Sequence, residues 1–211
     1  MTFTLLSALH ASTWSAGGSL GVRYRSTAPD LVSYGVFSAF DDFSFYVSAI
    51  GNDDYAVSLR YDLPVGKTIH NEFIFHTDIA SYEGGYSTLG YLFSQRFRWS
   101  WFMLGYGVGV QGGVSFSPYS APFYSLIPLF QLNAGAAFGP VSILLYGTNA
   151  THDAIEWKMM VSLGTAIRVN INEHNSLFID GFITLDNLMD MSDYTLSGYG
   201  VKIGYSYRGL L

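Results

Sequence analysis

From Trp99 to His152 the chain carries no Asp, Glu, Lys or Arg, and the run opens on W-S-W-F-M-L-G-Y-G-V-G-V-Q-G-G-V-S-F, residues 99–116. From Leu104 onward the even positions are Leu104, Tyr106, Val108, Val110, Val114 and Phe116, broken only by Gly112. The odd positions are Gly105, Gly107, Gly109, Gln111, Gly113 and Ser115. A period of two is the mark of a strand whose faces meet different surroundings. The large face has no charge and suits lipid or a dry core, while Trp99 and Trp101 cluster at one end, where an indole would lie at a membrane surface. The uncharged run is long enough for helical spans. However, alternate glycines, Pro128, Pro140, Gln111, Gln131 and Asn133 would weaken any helix of the roughly 20 residues a bilayer requires. The run predicts transmembrane β-strands.

Charge is scarce throughout. Only 12% of residues are Asp, Glu, Lys or Arg, against about 25% in an average soluble domain, so much of the surface is not meant for water. A length of 211 residues allows one closed barrel, and a net charge of -6 without a basic cluster excludes a nucleic-acid footprint. The absence of cysteine removes disulfide frameworks and thiolate metal sites. The first residues, M-T-F-T-L-L-S-A-L-H-A, are apolar and end in small side chains but lack a basic start. Residues 1–18 are therefore read as a leader remnant or N-terminal extension, and 19–211 as the barrel.

Twelve alternating segments follow one another: 19–25, 31–40, 43–50, 55–62, 69–78, 86–95, 99–116, 126–138, 141–148, 155–171, 177–185 and 194–207. The second, fourth, sixth, eighth and tenth connections, at 41–42, 63–67, 96–98, 139–140 and 172–176, are all short. The other set includes loops at 117–125 and 186–193. An even number of strands, short turns at one end and longer loops at the other predict an all-β fold, a single closed antiparallel transmembrane β-barrel. Twelve strands are expected, with ten or eight as alternatives if the short early segments merge.

By architecture over nearly its whole length, and not by a family-specific motif, the chain resembles a bacterial outer-membrane β-barrel. The alternation of Tyr199, Val201, Ile203, Tyr205 and Tyr207 is similar to the C-terminal assembly signal of such proteins, although this chain ends Arg208-Gly-Leu-Leu. The resemblance implies a Gram-negative outer membrane with both termini periplasmic. It also implies contact with outer-membrane lipid and lipopolysaccharide, insertion by a barrel-assembly machinery, and porin-like passage of small hydrophilic solutes. The alternative is a closed structural or surface-interaction barrel acting through its loops, and a lipid-modifying enzyme ranks third.

Charged side chains share one parity, which a barrel would turn inward, because Arg or Lys at mid-depth on the lipid face costs about 2–4 kcal/mol. The expected lumen-lining and selectivity residues are Arg23, Arg25, Arg60, Glu72, His76, Arg96, Lys158, Arg168, Asp180 and Lys202. The glycines on the same face are expected to leave open space or to admit the loop at 117–125. No catalytic residue, cofactor or metal site is predicted. His70 and His76 lie about 20 Å apart along an extended strand, too far to share one ion. His76 with Asp78 is read as interior hydrogen bonding, and Asp53, Asp54, Asp186, Asp190 and Asp193 as solvated turn residues.

Overall fold

The computed structural model describes residues 13–25, 28–50, 54–80, 84–149, 161–186 and 195–210. They form twelve strands: β1 (Thr13–Arg25), β2 (Ala28–Phe40), β3 (Phe43–Ile50), β4 (Asp54–Val65), β5 (Ile69–Ala80), β6 (Gly84–Arg98), β7 (Phe102–Ser117), β8 (Ser120–Phe138), β9 (Val141–Thr148), β10 (Val161–Asn170), β11 (Asn175–Asp186) and β12 (Thr195–Leu210). Each strand pairs antiparallel with its neighbours in sequence, and β1 pairs with β12, from Thr13 opposite Leu210 to Arg25 opposite Gly198. The sheet closes on itself and leaves no free edge, which is what lets backbone polar groups sit inside a bilayer. Both ends of the described barrel lie beside the short turns, where the Asp41 amide donates to the Thr13 carbonyl at 2.9 Å.

Tight connections follow from local chemistry. Asp41 takes a left-handed backbone (φ 48°) in the two-residue link to Asp42, and its carboxylate accepts the Thr13 amide at 2.8 Å. Short acidic side chains tolerate that region. Gly139 takes it at φ 58° in the turn ahead of Pro140.

Four boundaries differ from the sequence reading. First, β1 begins at Thr13, so residues 13–18 of the leader remnant or extension expected at 1–18 stand in the barrel wall, while 1–12 lie outside the described residues. Second, the turn expected at 96–98 falls at 99–101: the Trp99 amide donates to the Phe102 carbonyl at 2.8 Å, and Arg96 stays within β6. Third, the loop expected at 117–125 is a hairpin, because Ser115 pairs with Phe123 and Ser117 with Ser120 across one bulge. Fourth, β10 is a strand from Val161, and 150–160 lie outside the described residues. The uncharged run is therefore β7, β8 and β9.

The outer face is apolar, with Leu20, Val36, Leu89, Val108, Leu132 and Ile203 all more than half exposed. Two aromatic belts bound it. Trp14 contacts Tyr207 at 5.4 Å near the short turns, and Tyr24 stacks on Tyr199 at 5.0 Å toward the other end. Trp14 and Tyr24 are on one face of β1, about 33 Å apart along the strand, which a tilt near 45° reduces to about 23 Å. That matches an apolar band of about 25 Å. Outward polar side chains near the short turns are satisfied by tyrosines: Tyr91 donates to Asn71 and Tyr106 to Gln95, each at 2.6 Å, and Tyr205 donates to Asn175. An interfacial belt needs such an apolar body with a wet tip.

Candidate functional site: the barrel interior

The interior is where polar groups collect. Every buried polar or charged residue, from Ser33 and Ser48 to Thr184 and Ser206, has the inward parity set by the pairing register. One wall, β4 to β6, carries a charge network near the short turns. Glu72, with no solvent exposure, accepts from Arg96 Nη2 at 2.6 Å and Ser94 Oγ at 2.6 Å and also pairs with Arg60. Arg96 reaches Asp62 with its other nitrogen at 3.0 Å, and Asp62 meets His70 Nδ1 at 2.9 Å. One guanidinium thus bridges two carboxylates, which fixes its plane and removes it from solution. Farther along the same wall, Ser58 Oγ and His76 Nδ1 are 2.7 Å apart, both buried.

Beside this wall, Ile74, Leu92 and Leu129 form a buried apolar cluster. Gly107 and Gly109 of β7 lie against its Leu92. A Cβ on Gly107 would stand 3.2 Å from Leu92 Cγ, and one on Gly109 would collide with the Tyr91 carbonyl. The expectation that the inward glycines leave open space is therefore corrected: β6 lies across Gly107 and Gly113 by its side chains and across Gly109 by its backbone, and the 117–125 segment stays in the wall. Small residues on one strand make room for large ones on the next.

The opposite wall repeats the device with aromatics. Phe37 of β2 lies over Gly17, Phe178 of β11 lies over Gly204, and the rings approach to 6.0 Å across β1 and β12. Tyr46 covers Gly35, and Tyr146 covers Gly164 while donating to Asp180 at 2.9 Å. Lys202 Nζ lies 5.8 Å from the Tyr46 ring and 5.7 Å from that of Phe182, within cation–π range. Between the walls, at the short-turn end, is a cavity of about 260 Å3 lined by Phe37, Ser44, Tyr46, Ser58, Arg168 and Phe178 among others.

No protein-family model matches the sequence, and the curated proteins contain no match to it. The solved structures do. The NanC porin superimposes with a TM-score of 0.59 over 91% of this chain and 98% of its own, at 10% identity. The translocator domain of the autotransporter NalP from Neisseria meningitidis gives 0.53 over 93% of this chain and 88% of its own, also at 10% identity. The fold is that of an outer-membrane β-barrel. At such identity the likeness covers architecture alone.

Within this outer-membrane barrel fold, the register puts Arg60, Glu72, His76, Arg96, Arg168, Asp180 and Lys202 on the inner face. It brings Arg60, Glu72 and Arg96 together in one network, sets Asp180 opposite Lys202, and leaves Arg168 apart from both. Arg23 and Arg25 stand in β1 opposite Gly200 and Gly198, but their side chains, and the whole of Lys158, lie outside the described residues. Asp62, His70 and Ser94 complete the network by means the pattern alone hid, since they are joined by cross-strand register. The wide part played by Phe37, Tyr46 and Phe178 was signalled only by aromatics at inward positions beside glycines. Among the described residues, no group of three His, Asp or Glu could hold a metal ion. Gly17-Gly18-Ser19-Leu20-Gly21 has the spacing of a nucleophile elbow, yet it runs straight through β1 with Ser19 paired to Gly204 and Gly35.

Proposed function

We propose that the protein is an outer-membrane channel for small hydrophilic solutes, with the short turns and both termini on the periplasmic side. The observation that carries this reading is the distribution of polarity: the outer face is apolar while the buried serines, threonines and charges all point inward, around a cavity. A twelve-stranded barrel has a backbone radius of about 12 Å, whereas eight strands are already just filled by side chains. Arg60 and Arg96 are held by Glu72 and Asp62 and act as a brace, so selectivity falls to Arg168 and to the Lys202–Asp180 pair. Outer-membrane lipid and lipopolysaccharide surround the barrel in this reading, and a barrel-assembly machinery inserts it.

We read the chain as non-enzymatic. Ser58, His76 and Asp78 have the composition of a catalytic set, but only Ser58 borders the cavity, and His76 and Asp78, each 4% exposed, are closed off from a substrate.

Planar-bilayer recording on refolded protein tests the channel. The wild type is expected to conduct, and R168Q with K202Q to shift the reversal potential in a salt gradient toward cation preference. The shift should shrink at 1 M salt, where the Debye length is about 3 Å. A wild type that passes no current would favour a closed barrel acting through its loops, with the Glu72 network as its filling.

A further inference from the structure

The cavity at the short-turn end has an electrostatic imbalance. Arg168 faces it, and among the described residues no carboxylate forms an ion pair with that guanidinium. Another cation, Arg208, on the same inner parity of β12, acts on it and repels it. Across the cavity Arg60 stands opposite Ser44, already engaged by Glu72. The inward charges at this end are Arg60, Arg96, Arg168 and Arg208 against Asp62 and Glu72, with His70 beside Asp62; Asp180, one step farther along the inner face from Phe178, accepts from Tyr146. The turn residues Asp41, Asp42, Lys67 and Glu173, and Arg98 at the end of β6, are exposed at the rim.

The cavity also has a chemical grain. Two rings, Phe37 and Phe178, meet at 6.0 Å and 60° on one side, and the hydroxyl-bearing residues Ser44, Ser58 and Tyr46 stand on the other. Ser58 is committed to His76. A guanidinium that faces a cavity with no carboxylate ion-paired to it favours an anion, since a cation left partly desolvated and unpaired is costly. A guanidinium takes a carboxylate through two parallel hydrogen bonds. Flat apolar walls favour a ring, and 260 Å3 is room for about one ring with its substituents.

We propose that this cavity is a binding site for a small monocarboxylate with a single-ring body, held by Arg168 through its carboxylate and by Phe37 and Phe178 through its ring. The proposal names the solute class of the channel reading and rests on it for transport, though the site itself does not require an open pore.

Benzoate is the probe, with acetate lacking the ring and benzyl alcohol lacking the charge. Added to both chambers during single-channel recording in KCl, millimolar benzoate is expected to lower the wild-type current. Acetate and benzyl alcohol should do so much more weakly. R168Q should weaken the blockade by about tenfold or more, the loss of one charge-assisted contact. R168K should keep part of it, and K67Q, at an exposed turn, should match the wild type. An open wild-type channel indifferent to benzoate, or blockade that survives R168Q, would overturn the site and leave the channel reading in place. Equal blockade by acetate would overturn the part assigned to the rings. If the wild type conducts nothing, the channel reading falls, and calorimetric titration of benzoate into the folded protein in detergent decides the site. Binding that R168Q abolishes upholds it, and equal heats from both proteins overturn it.

Discussion

Glu72→Gln is the sharpest probe of the interior network. The carboxylate has no solvent exposure, accepts from Ser94 and Arg96 at 2.6 Å each, and is the ion-pair partner of Arg60. Removing one member of a buried pair costs about 3–5 kcal/mol when the stranded charge has no other relief. Here relief is partial, because Arg96 keeps Asp62 at 3.0 Å and the two arginine side chains are 23% and 30% exposed. Glutamine also keeps an acceptor for Ser94. A net loss of about 2–3 kcal/mol is expected, most of it from Arg60. Urea titration of the folded barrel in lipid vesicles, followed by fluorescence of its four tryptophans, measures it. The double variant R60Q/E72Q should be more stable than E72Q alone, with a coupling of about 1–3 kcal/mol, and raising the salt to 1 M should change little because the pair is buried. E72Q within about 0.5 kcal/mol of the wild type, or a double variant equal to the sum of the singles, would refute the account.

Two glycines of one strand should respond in opposite ways. Gly109→Ala is expected to cost about 1–3 kcal/mol, because its Cβ would strike the Tyr91 carbonyl, whereas Gly112→Ala, with nothing within 4 Å of its Cβ, should be neutral or stabilising by about 0.4–1 kcal/mol in the same urea titration. Val108→Arg, on the outer face, should lose about 2–4 kcal/mol in lipid vesicles, and a cost near zero would mean that this face does not meet hydrocarbon. Leu92→Ala, at a site with no exposure between Ile74 and Leu129, should cost about 2–5 kcal/mol and raise single-channel conductance by enlarging the interior.

The barrel was legible because lipid and interior impose opposite chemistries on alternate residues, so Leu104, Tyr106 and Val108 against Gly105, Gly107 and Gly109 declare a strand without reference to any other segment. What joins strands was harder to see. Pro118 and Pro122 with the serines of 117–125 read as a loop, yet β7 and β8 stay paired almost to the tip, since a hairpin tolerates proline where no ladder bond is needed. The charges showed their parity but not their partners. Asp62 lies directly opposite Glu72, a repulsive pair taken alone, and only the diagonal reach of Arg60 and Arg96 makes it stable. Glycine was the most misleading signal, because a missing side chain marks space without telling which neighbour fills it.

The barrel reverses the usual arrangement of a folded chain. In a water-soluble domain the interior must be apolar and closely packed, since burial there drives folding. In this barrel the apolar transfer is made outward, through the exposed Leu20, Val36, Val108 and Ile203, while closure of β1 on β12 satisfies the backbone. The interior is thereby released from supplying the core. It can carry a brace of paired charges on β4 to β6, and on the facing wall it can leave Arg168 beside a cavity with no ion-paired carboxylate among the described residues. An arrangement so unfavourable to a packed core is tolerable here because the strands are already held from the other side. The wall that is braced keeps the barrel's shape, and the wall that is not braced is the one with chemistry to offer a solute.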